Sequence, residues 1–220
     1  MEIGLFDVLG PIMVGPSSSH TAGAVRLGNI ARKIAGPNIR QADFYLHGSF
    51  AKTHKGHGTD KALLGGVLGM AADDERIKDS FSLAEAAGIR YTFHNEDLGD
   101  VHPNSVRIVL KKDDTENCEL IGSSIGGGKV MINSLNGLHV EFSGQYPTVI
   151  TIHNDRPGVV ANVSSVLSKH GINIAFLKVF RQLRGSEACM IIESDQPVSE
   201  SVLEQLRSLP DINTVSLVDL

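Results

Sequence analysis

Two kinds of hydrophobic pattern follow one another along the chain, and the first opens with an amphipathic helix. Apolar residues recur there at intervals of three and four positions, as on one face of a helix. They are Leu27, Ile30, Ala31 and Ile34. The run stops at the Gly-Pro pair of positions 36 and 37, which is typical of a helix end.

The rest of the first region mixes predicted strands and helices. The segment "QADFYLHGSFA" is typical of a strand, and it leads into "THKGHGT", which we expect to form a polar loop. Thr59 or Asp60 is placed to cap a second helix that continues to Met70. A further helix over residues 80–87 and strands over 89–93 and 105–111 precede the glycine run "SSIGGGKVMI".

Beyond Gly144 and Pro147 the pattern becomes shorter and more regular. "TVITIHND" alternates like a strand, and Pro157 stands at the beginning of a helix. The complete order is β-α-β-β-α-β, the split βαβ or ferredoxin-like arrangement. The sequence therefore predicts an α+β protein with two domains, residues 1–146 and 147–220.

Composition and charge exclude several classes of partner. The formal net charge is -5 and no block of Lys or Arg occurs, so we expect neither a nucleic acid nor an anionic membrane as a partner. The N-terminal "MEIGLFDVLGPIMVGP" has no basic region, and we expect neither a signal peptide nor a membrane span. Cys118 and Cys189 form no C-x-x-C motif, which excludes a disulfide framework and favours a reducing, cytoplasmic location.

The stretch "VGPSSSHTAGAVRLG" places hydroxyl groups directly before the first helix. One serine is enough to cap a helix, but Ser17, Ser18 and Ser19 are followed by His20 and Thr21. Hydroxyls and backbone amides at the positive end of a helix dipole suit a carboxylate or a phosphate. The sequence favours an anion site here, with capping alone as the alternative.

Two histidines are candidates for proton transfer. His57 lies between Gly56 and Gly58, which would let a substrate approach the imidazole closely. The alternative is an ordinary exposed loop histidine. His20 beside three serines suggests a nucleophilic Ser-His pair, but chain neighbours rarely orient in this way and no acidic third member is evident.

Metal and nucleotide sites are poorly supported. His54 and His57 are three positions apart, but no further ligand follows at zinc spacing, so we expect no metal ligands in this chain. Lys61 stands where a dinucleotide fingerprint needs its third glycine, and "GGGK" lacks the other residues of a P-loop. "HPN" at 102–104 and the glycines at 126–128 are candidate contacts. They are equally consistent with a simple turn and with tight backbone packing.

The C-terminal segment "HNDRPGVVANVSSVLSKHGINI" and its element order resemble an ACT domain, a small module of many amino-acid-metabolising enzymes. The resemblance implies self-association and a small effector bound where the first strand meets the first helix. Asn154, Asp155 and Gly158 occupy that position. The alternatives are that Asn-Asp only forms a turn and caps a helix, and that the domain is structural.

Four motifs in order, "FDVLGPIMVGPSSSHTAGA", "GSFAKTHKGHGTD", "HPN" and "SIGGG", resemble the beta subunits of bacterial iron–sulfur-dependent L-serine dehydratases. This resemblance implies deamination of L-serine to pyruvate and ammonia without pyridoxal phosphate. It also implies a [4Fe–4S] cluster whose open iron acts as a Lewis acid. Two cysteines are too few to hold such a cluster, so its ligands are expected in a cysteine-rich alpha subunit. The first domain is expected to resemble the allosteric substrate-binding domain of phosphoglycerate dehydrogenase.

The same resemblance implies roles for individual residues. His57 falls on the family's "GHGT" histidine and is expected to take the Cα proton of L-serine, with His20 as the second candidate. His54 receives no role. The residues expected to contact substrate are Ser17, Ser18, Ser19, Thr21, Gly58, Thr59, Asn104, Gly126 and Gly127.

Two other functions compete with this interpretation. A non-catalytic amino-acid sensor explains the serines and the ACT-like segment, but gives no reason for a histidine between glycines. A stand-alone Ser-His hydrolase predicts that a serine-directed phosphonate labels one of the three serines.

Overall fold

The computed structural model of the chain describes residues 12–112 and 118–220. The N-terminal segment expected to carry no leader, including the "FDVLGP" part of the first motif, lies outside the described residues. The chain divides into two compact units, residues 1–137 and 138–220. The predicted division after residue 146 falls later, and the strand Leu138–Phe142 is assigned to the second unit. No helix in the described ranges is long and apolar enough to cross a membrane.

The first unit combines helices with a mixed sheet. Its described helices are α1 (Ala22–Ala35), α2 (Gly48–His57), α3 (Thr59–Val67) and α4 (Ser80–Ala86), with a 3-10 helix at Glu75–Asp79. Its strands are β1 (Ile39–Leu46), β2 (Arg90–Asn95), β3 (Ser105–Lys112), β4 (Cys118–Gly126) and β5 (Lys129–Leu135). Within this unit these strands follow the spatial order β2-β1-β3-β4-β5. Strands β1 and β2 are parallel, and the other neighbours are antiparallel.

Helix α1 confirms the predicted amphipathic helix and ends at the predicted glycine. Leu27, Ile30 and Ala31 are fully buried, and α1 packs on β4 and on α3. The two helix backbones approach closely where Gly28 meets Gly66. A Cβ atom at Gly28 would clash with the Leu63 carbonyl oxygen, so a larger residue has no room there.

The predicted polar loop "THKGHGT" is wrong, because most of these residues form the second half of α2. Phe50 is fully buried and anchors this otherwise polar helix. Gly58 ends α2 in the left-handed conformation, with φ of 67°, and α3 begins at the next residue. The predicted N-cap residue is also wrong, since Gly58 occupies that position, although the Asp60 carboxylate accepts a hydrogen bond from the Lys61 N–H at 2.8 Å in the first turn of α3. Helix α3 ends at Val67, before the predicted end at Met70.

The second unit has the predicted ferredoxin-like order. After β6 (Leu138–Phe142), its elements are β7 (Thr148–Asn154), α5 (Val159–Lys169), β8 (Ile174–Arg181), β9 (Glu187–Ser194), α6 (Glu200–Arg207) and β10 (Ile212–Val218). The antiparallel order β10-β7-β9-β8 brings the first strand to the middle of the sheet. Val163 and Leu167 of α5 pack with Met190 and Ile192 of β9 in a buried cluster.

Candidate active site

One edge of the first unit's sheet collects most of the predicted site residues. Because β1 and β2 are parallel and the other strands alternate in direction, β1, β2 and β4 end where β3 and β5 begin. Helix α1 leads into β1 through a short turn, so its N-terminus lies near the same edge. The sheet topology therefore gathers loops that are far apart in the sequence.

His20 is held between two hydroxyl groups. Its Nδ1 atom lies 3.3 Å from Ser17 Oγ, and its Nε2 atom lies 3.2 Å from Ser49 Oγ. The ring also meets Phe50 edge-on, with centroids 5.3 Å apart. Burial lowers the pKa of His20, and a positive charge on His57 lowers it further. His20 is therefore a neutral, fixed imidazole at neutral pH.

His57 lies beside His20, although 37 positions separate them in the sequence. Their ring centroids are 4.8 Å apart, with planes tilted by 38°. His57 is the last residue of α2 and is exposed, while the following Gly58 turns the chain into α3. The structure thus brings both predicted catalytic histidines into one cluster, with His57 at the end of α2 and His20 in the turn before α1.

The turn before α1, residues 17–21, is called the serine turn, and some of its polar groups already bond to one another. The His20 N–H donates to Ser17 Oγ at 3.3 Å within the turn, whereas the N-cap residue of α1 is Thr21 and no side chain caps that helix. The N–H groups of Thr21 and Gly23 donate to the carbonyl oxygens of Ser17 and Ser18. These contacts order the turn around Ser17 without capping α1, and the half-buried Ser18 and Ser19 are the hydroxyls that remain for the predicted anion.

Two predicted contact residues lie beneath the surface. Thr21 is 3% exposed, Thr59 is fully buried, and neither hydroxyl has a hydrogen-bond partner among the described residues. A buried hydroxyl without a partner costs about 1–3 kcal/mol. Unpaired polar groups directly after His20 and two positions after His57 therefore mark this cluster as unusual for a purely structural core.

The "HPN" segment is hydrogen-bonded both to the start of α2 and to β4. Ser49 N–H donates to the Pro103 carbonyl oxygen at 2.7 Å, and Ser124 N–H donates to the Asn104 carbonyl oxygen at 2.9 Å. A Cβ atom at Gly48 would lie 2.5 Å from that Pro103 oxygen, so glycine is needed for this approach. Asn104 is thereby placed between the start of α2 and the end of β4.

The glycine run forms the tight turn between β4 and β5. Gly126 pairs with Lys129, and the two residues between them, Gly127 and Gly128, have φ values of 60° and 75°. Two consecutive positive φ values suit a two-residue hairpin turn and favour glycine. A simple tight turn is thus enough to explain these glycines. Because they have no side chains, their backbone is bare at the edge of the site.

Sequence reasoning missed Ser49, which contacts His20 across 29 positions. The residue stands in the "GSFA" segment at the first turn of α2, where a strand gives way to a helix. Its position after a strand was the available signal. Its contact with His20 depends on tertiary structure.

The predicted effector residues have partners within the second unit. The Asp155 carboxylate accepts hydrogen bonds from Arg181 at 2.6 Å and from the Gly185 N–H at 2.9 Å, and these contacts hold its pKa below the usual value. Asn154 donates to Asp211 at 3.2 Å. Gly158 is exposed, with φ of 94°, at the start of α5. These contacts are equally consistent with the alternative that Asn154 and Asp155 only form a structural turn.

The two cysteines of this chain do not fit an iron–sulfur cluster. Cys118 lies in β4 and Cys189 in β9, so the two thiols belong to different units. Burial raises the pKa of each thiol to about 12, whereas a metal ligand must be a thiolate. Within residues 12–112 and 118–220, no group of three or more His, Cys, Asp or Glu side chains is placed to hold a metal ion.

Comparison with known proteins decides the family. A family model described as the serine dehydratase beta chain matches residues 4–134, and an ACT domain model matches residues 148–211. The chain belongs to the serine dehydratase beta chain family. This confirms the resemblance that the sequence motifs indicated, and it confirms the C-terminal ACT domain.

Relatives extend over almost the whole chain. The "Probable L-serine dehydratase, beta chain" of Bacillus subtilis is 45% identical, with 97% of each chain covered. The "L-serine dehydratase, beta chain" of Peptoniphilus asaccharolyticus is also 45% identical and covers 100% of this chain and 99% of its own. A "D-3-phosphoglycerate dehydrogenase" of Methanocaldococcus jannaschii is 26% identical over 90% of this chain but only 37% of its own length. The last similarity supports the predicted α+β architecture.

Proposed function

We propose that this chain is the beta subunit of an L-serine dehydratase, a lyase that converts L-serine to pyruvate and ammonia together with an alpha chain. The supporting observation is the His20–His57 pair at the sheet edge, in a chain that aligns end to end with relatives named as beta chains. Two imidazoles with ring centroids 4.8 Å apart suit proton transfer better than passive effector binding.

His57 is the proposed general base, and His20 is the second candidate. His57 is exposed and accessible to a substrate, whereas His20 is held by two hydroxyls. When His20 is neutral, it places no positive charge beside His57, so it does not oppose protonation of the His57 imidazole. The lowered pKa of His20 therefore favours uptake of the Cα proton by His57.

The reaction balances without an oxidant or a reductant. The Cα–H bond breaks, its proton goes to the imidazole of His57, and its electron pair forms the Cα–Cβ double bond as the β-hydroxyl group leaves with a proton as water. The aminoacrylate product tautomerises to an imine, which a water molecule hydrolyses to pyruvate and ammonia. One water molecule leaves and one is consumed.

We propose that the [4Fe–4S] cluster of this enzyme class is held by the cysteine-rich alpha chain and that pyridoxal phosphate is not required. The buried, protonated thiols of this chain support a ligand set located elsewhere. Iron and sulfide analysis of each purified chain tests this proposal. A cluster bound stoichiometrically to this chain alone would contradict it.

The substrate contacts are proposed at the surface of the histidine cluster. Ser18, Ser19 and Asn104 supply polar groups, while Gly58 and the glycine hairpin at 126–127 leave room for a ligand. Thr21 and Thr59 are proposed as buried hydroxyls that support the same site. Ser17 is proposed to orient His20 through its side chain.

The ACT domain is proposed to mediate self-association and to bind a small amino-acid effector at Asn154, Asp155 and Gly158. The half-buried Asp155 carboxylate and the exposed turn beside it support this location. A thermal-shift titration of the full chain with amino acids tests the proposal. A shift that Asp155→Ala leaves unchanged would contradict it.

The central experiment measures serine-dependent pyruvate formation under anaerobic conditions. This chain alone, its alpha partner alone and the mixture are compared. We expect activity in the mixture only. A fully active alpha chain would instead make this chain a regulatory sensor.

Variants of three histidines identify the base. His57→Ala is expected to abolish turnover in the assembled complex, and His20→Ala is expected to lower it strongly, because each removes one member of the imidazole pair. His54→Ala is the matched control: it lies on the same helix, and its Nδ1 atom contacts the Ala51 carbonyl oxygen at 3.0 Å. Size-exclusion chromatography checks assembly. Near-normal turnover of assembled His57→Ala would exclude His57 as the base.

A further inference from the structure

Arg26 lies at the same edge of the sheet as the histidine cluster. It follows Gly23 by three positions on α1, and Gly23 faces Ser124 of β4 so closely that a Cβ atom would lie 2.7 Å from the Ser124 Cβ atom. The side chain of Arg26 is half-buried, and its Nη1 atom donates to the Gly128 carbonyl oxygen at 3.4 Å. Helical side chains lean toward the N-terminus, and the serine turn lies at that end of α1.

The guanidinium has few partners for a half-buried charge. Among the described residues, no carboxylate forms an ion pair with Arg26, and its contact to Gly128 is at the long limit for a hydrogen bond. Arg107, by comparison, pairs with Glu96 at 2.6 Å and with Glu119 at 3.3 Å. A guanidinium carries five N–H donors, so most of those on Arg26 are available. Burial without a counter-charge lowers the pKa of Arg26.

The surroundings of Arg26 leave space for a small anion. The turn beside it consists of glycines, and a Cβ atom at Gly126 would meet nothing within 4 Å. Ser124, two positions before Gly126 on β4, is fully buried and its hydroxyl has no hydrogen-bond partner in the described part of the chain. A half-buried cation therefore meets bare backbone at the hairpin, and an unpaired hydroxyl lies two positions before Gly126 on the same strand.

We infer that Arg26 binds the carboxylate of the amino-acid substrate and so selects for α-amino acids over amines. This assignment rests on the proposed lyase function and deepens it. A planar guanidinium matches the two oxygens of a carboxylate, and it adds the positive charge that Ser18 and Ser19 lack. Arg26 is thereby a substrate-binding residue, distinct from the histidines that move the proton.

Kinetics of the complex with the alpha chain test this role. Arg26→Met keeps the apolar stem and removes the charge, and it is expected to raise KM for L-serine about 10- to 100-fold, the usual range for lost hydrogen bonds to a charged group. Arg26→Lys keeps the charge but loses the planar, two-pronged donor geometry. Its KM for L-serine should lie between those of the wild type and Arg26→Met. Arg32→Met is the matched control, since Arg32 on the same helix also donates Nη1 to a carbonyl oxygen, that of Val67 at 3.1 Å.

Two inhibitors separate carboxylate binding from a structural effect. 3-Hydroxypropionate keeps the carboxylate of serine without the amine, and ethanolamine keeps the amine without the carboxylate. We expect Arg26→Met to weaken inhibition by 3-hydroxypropionate by a similar factor and to leave inhibition by ethanolamine unchanged. A thermal unfolding scan of each variant establishes that it is folded.

The possible results are distinguishable. If the wild-type mixture is active but Arg26→Met and Arg32→Met change KM equally little, the assignment of Arg26 is overturned and the lyase function stands. If KM rises for Arg26→Met while both inhibitors weaken together, the residue shapes the site without binding the carboxylate. If the wild-type mixture forms no pyruvate from L-serine, the proposed function and this inference fall together.

Discussion

Replacing Gly66 with alanine tests how closely α1 and α3 must approach for the first unit to fold. The new Cβ atom would clash with the Val25 carbonyl oxygen and lie 2.9 Å from the Asn29 nitrogen and from the Gly28 Cα atom. Ordinary van der Waals contact begins at 3.4 Å, and all three obstacles are backbone atoms of a helix. They cannot rotate away as a side chain would, so the helices must separate.

The expected magnitude combines two opposing effects. Overpacking of a close-packed core costs typically 1–3 kcal/mol, and backbone obstacles place Gly66→Ala near the upper end, at about 3 kcal/mol. Alanine favours a helix over glycine by about 1 kcal/mol. The net loss of unfolding free energy is therefore about 2 kcal/mol, which changes the folded-to-unfolded ratio by about 30-fold.

Urea denaturation followed by circular dichroism measures this loss. Gly56→Ala is the matched control, because Gly56 is also a helical glycine but a Cβ atom there would meet nothing within 4 Å. It should stabilise the chain by up to about 1 kcal/mol through helix propensity alone. If Gly66→Ala has the same sign as Gly56→Ala, the close backbone approach does not limit stability and the reasoning is refuted.

Two further predictions concern buried titratable groups. Because burial raises the pKa of Cys118 and Cys189 to about 12, a disulfide reagent at pH 8 should react with neither thiol in the folded chain and with both after unfolding in urea; rapid reaction of the folded chain would show that a thiol is accessible. His153 is 2% exposed, and its burial lowers its pKa. As the pH drops below about 6.5, the His153 imidazole is therefore protonated in the unfolded chain before it is protonated in the folded chain. The free energy of unfolding should fall over this range, until the pH passes the pKa of His153 in the folded state. An NMR titration in which the His153 imidazole is protonated at or above its ordinary pKa would contradict this prediction.

Local periodicity was enough to predict the elements whose burial follows the sequence pattern. Helix α1 buries Leu27 and Ile30 at the predicted spacing, and the ACT domain has its predicted order because its strands and helices are short and separated by clear turns. The exception there is Phe176, which alternates like a core residue but is 52% exposed. Strand β8 lies at an edge of the sheet, which a single strand's pattern does not reveal.

The candidate site was only partly predictable, because its contacts are tertiary. Motifs identified His20 and His57, but nothing local indicates that their rings meet. Helix α2 looks like a loop because its second half is polar and contains glycine, and it is stabilised by the burial of Phe50. Arg26 resembles any charged residue on a helix until the glycine hairpin of another strand is placed beside it.

The single residue between α2 and α3 also affects the entropic cost of the substrate binding proposed at His57. Gly58 alone joins the two helices, so the backbone of His57 is fixed when they fold. Ordering one residue's backbone costs about 1–2 kcal/mol in conformational entropy. In a loop, this cost would arise at every encounter with substrate. Here it is met once, during folding, so the substrate binding proposed at His57 does not bear this cost.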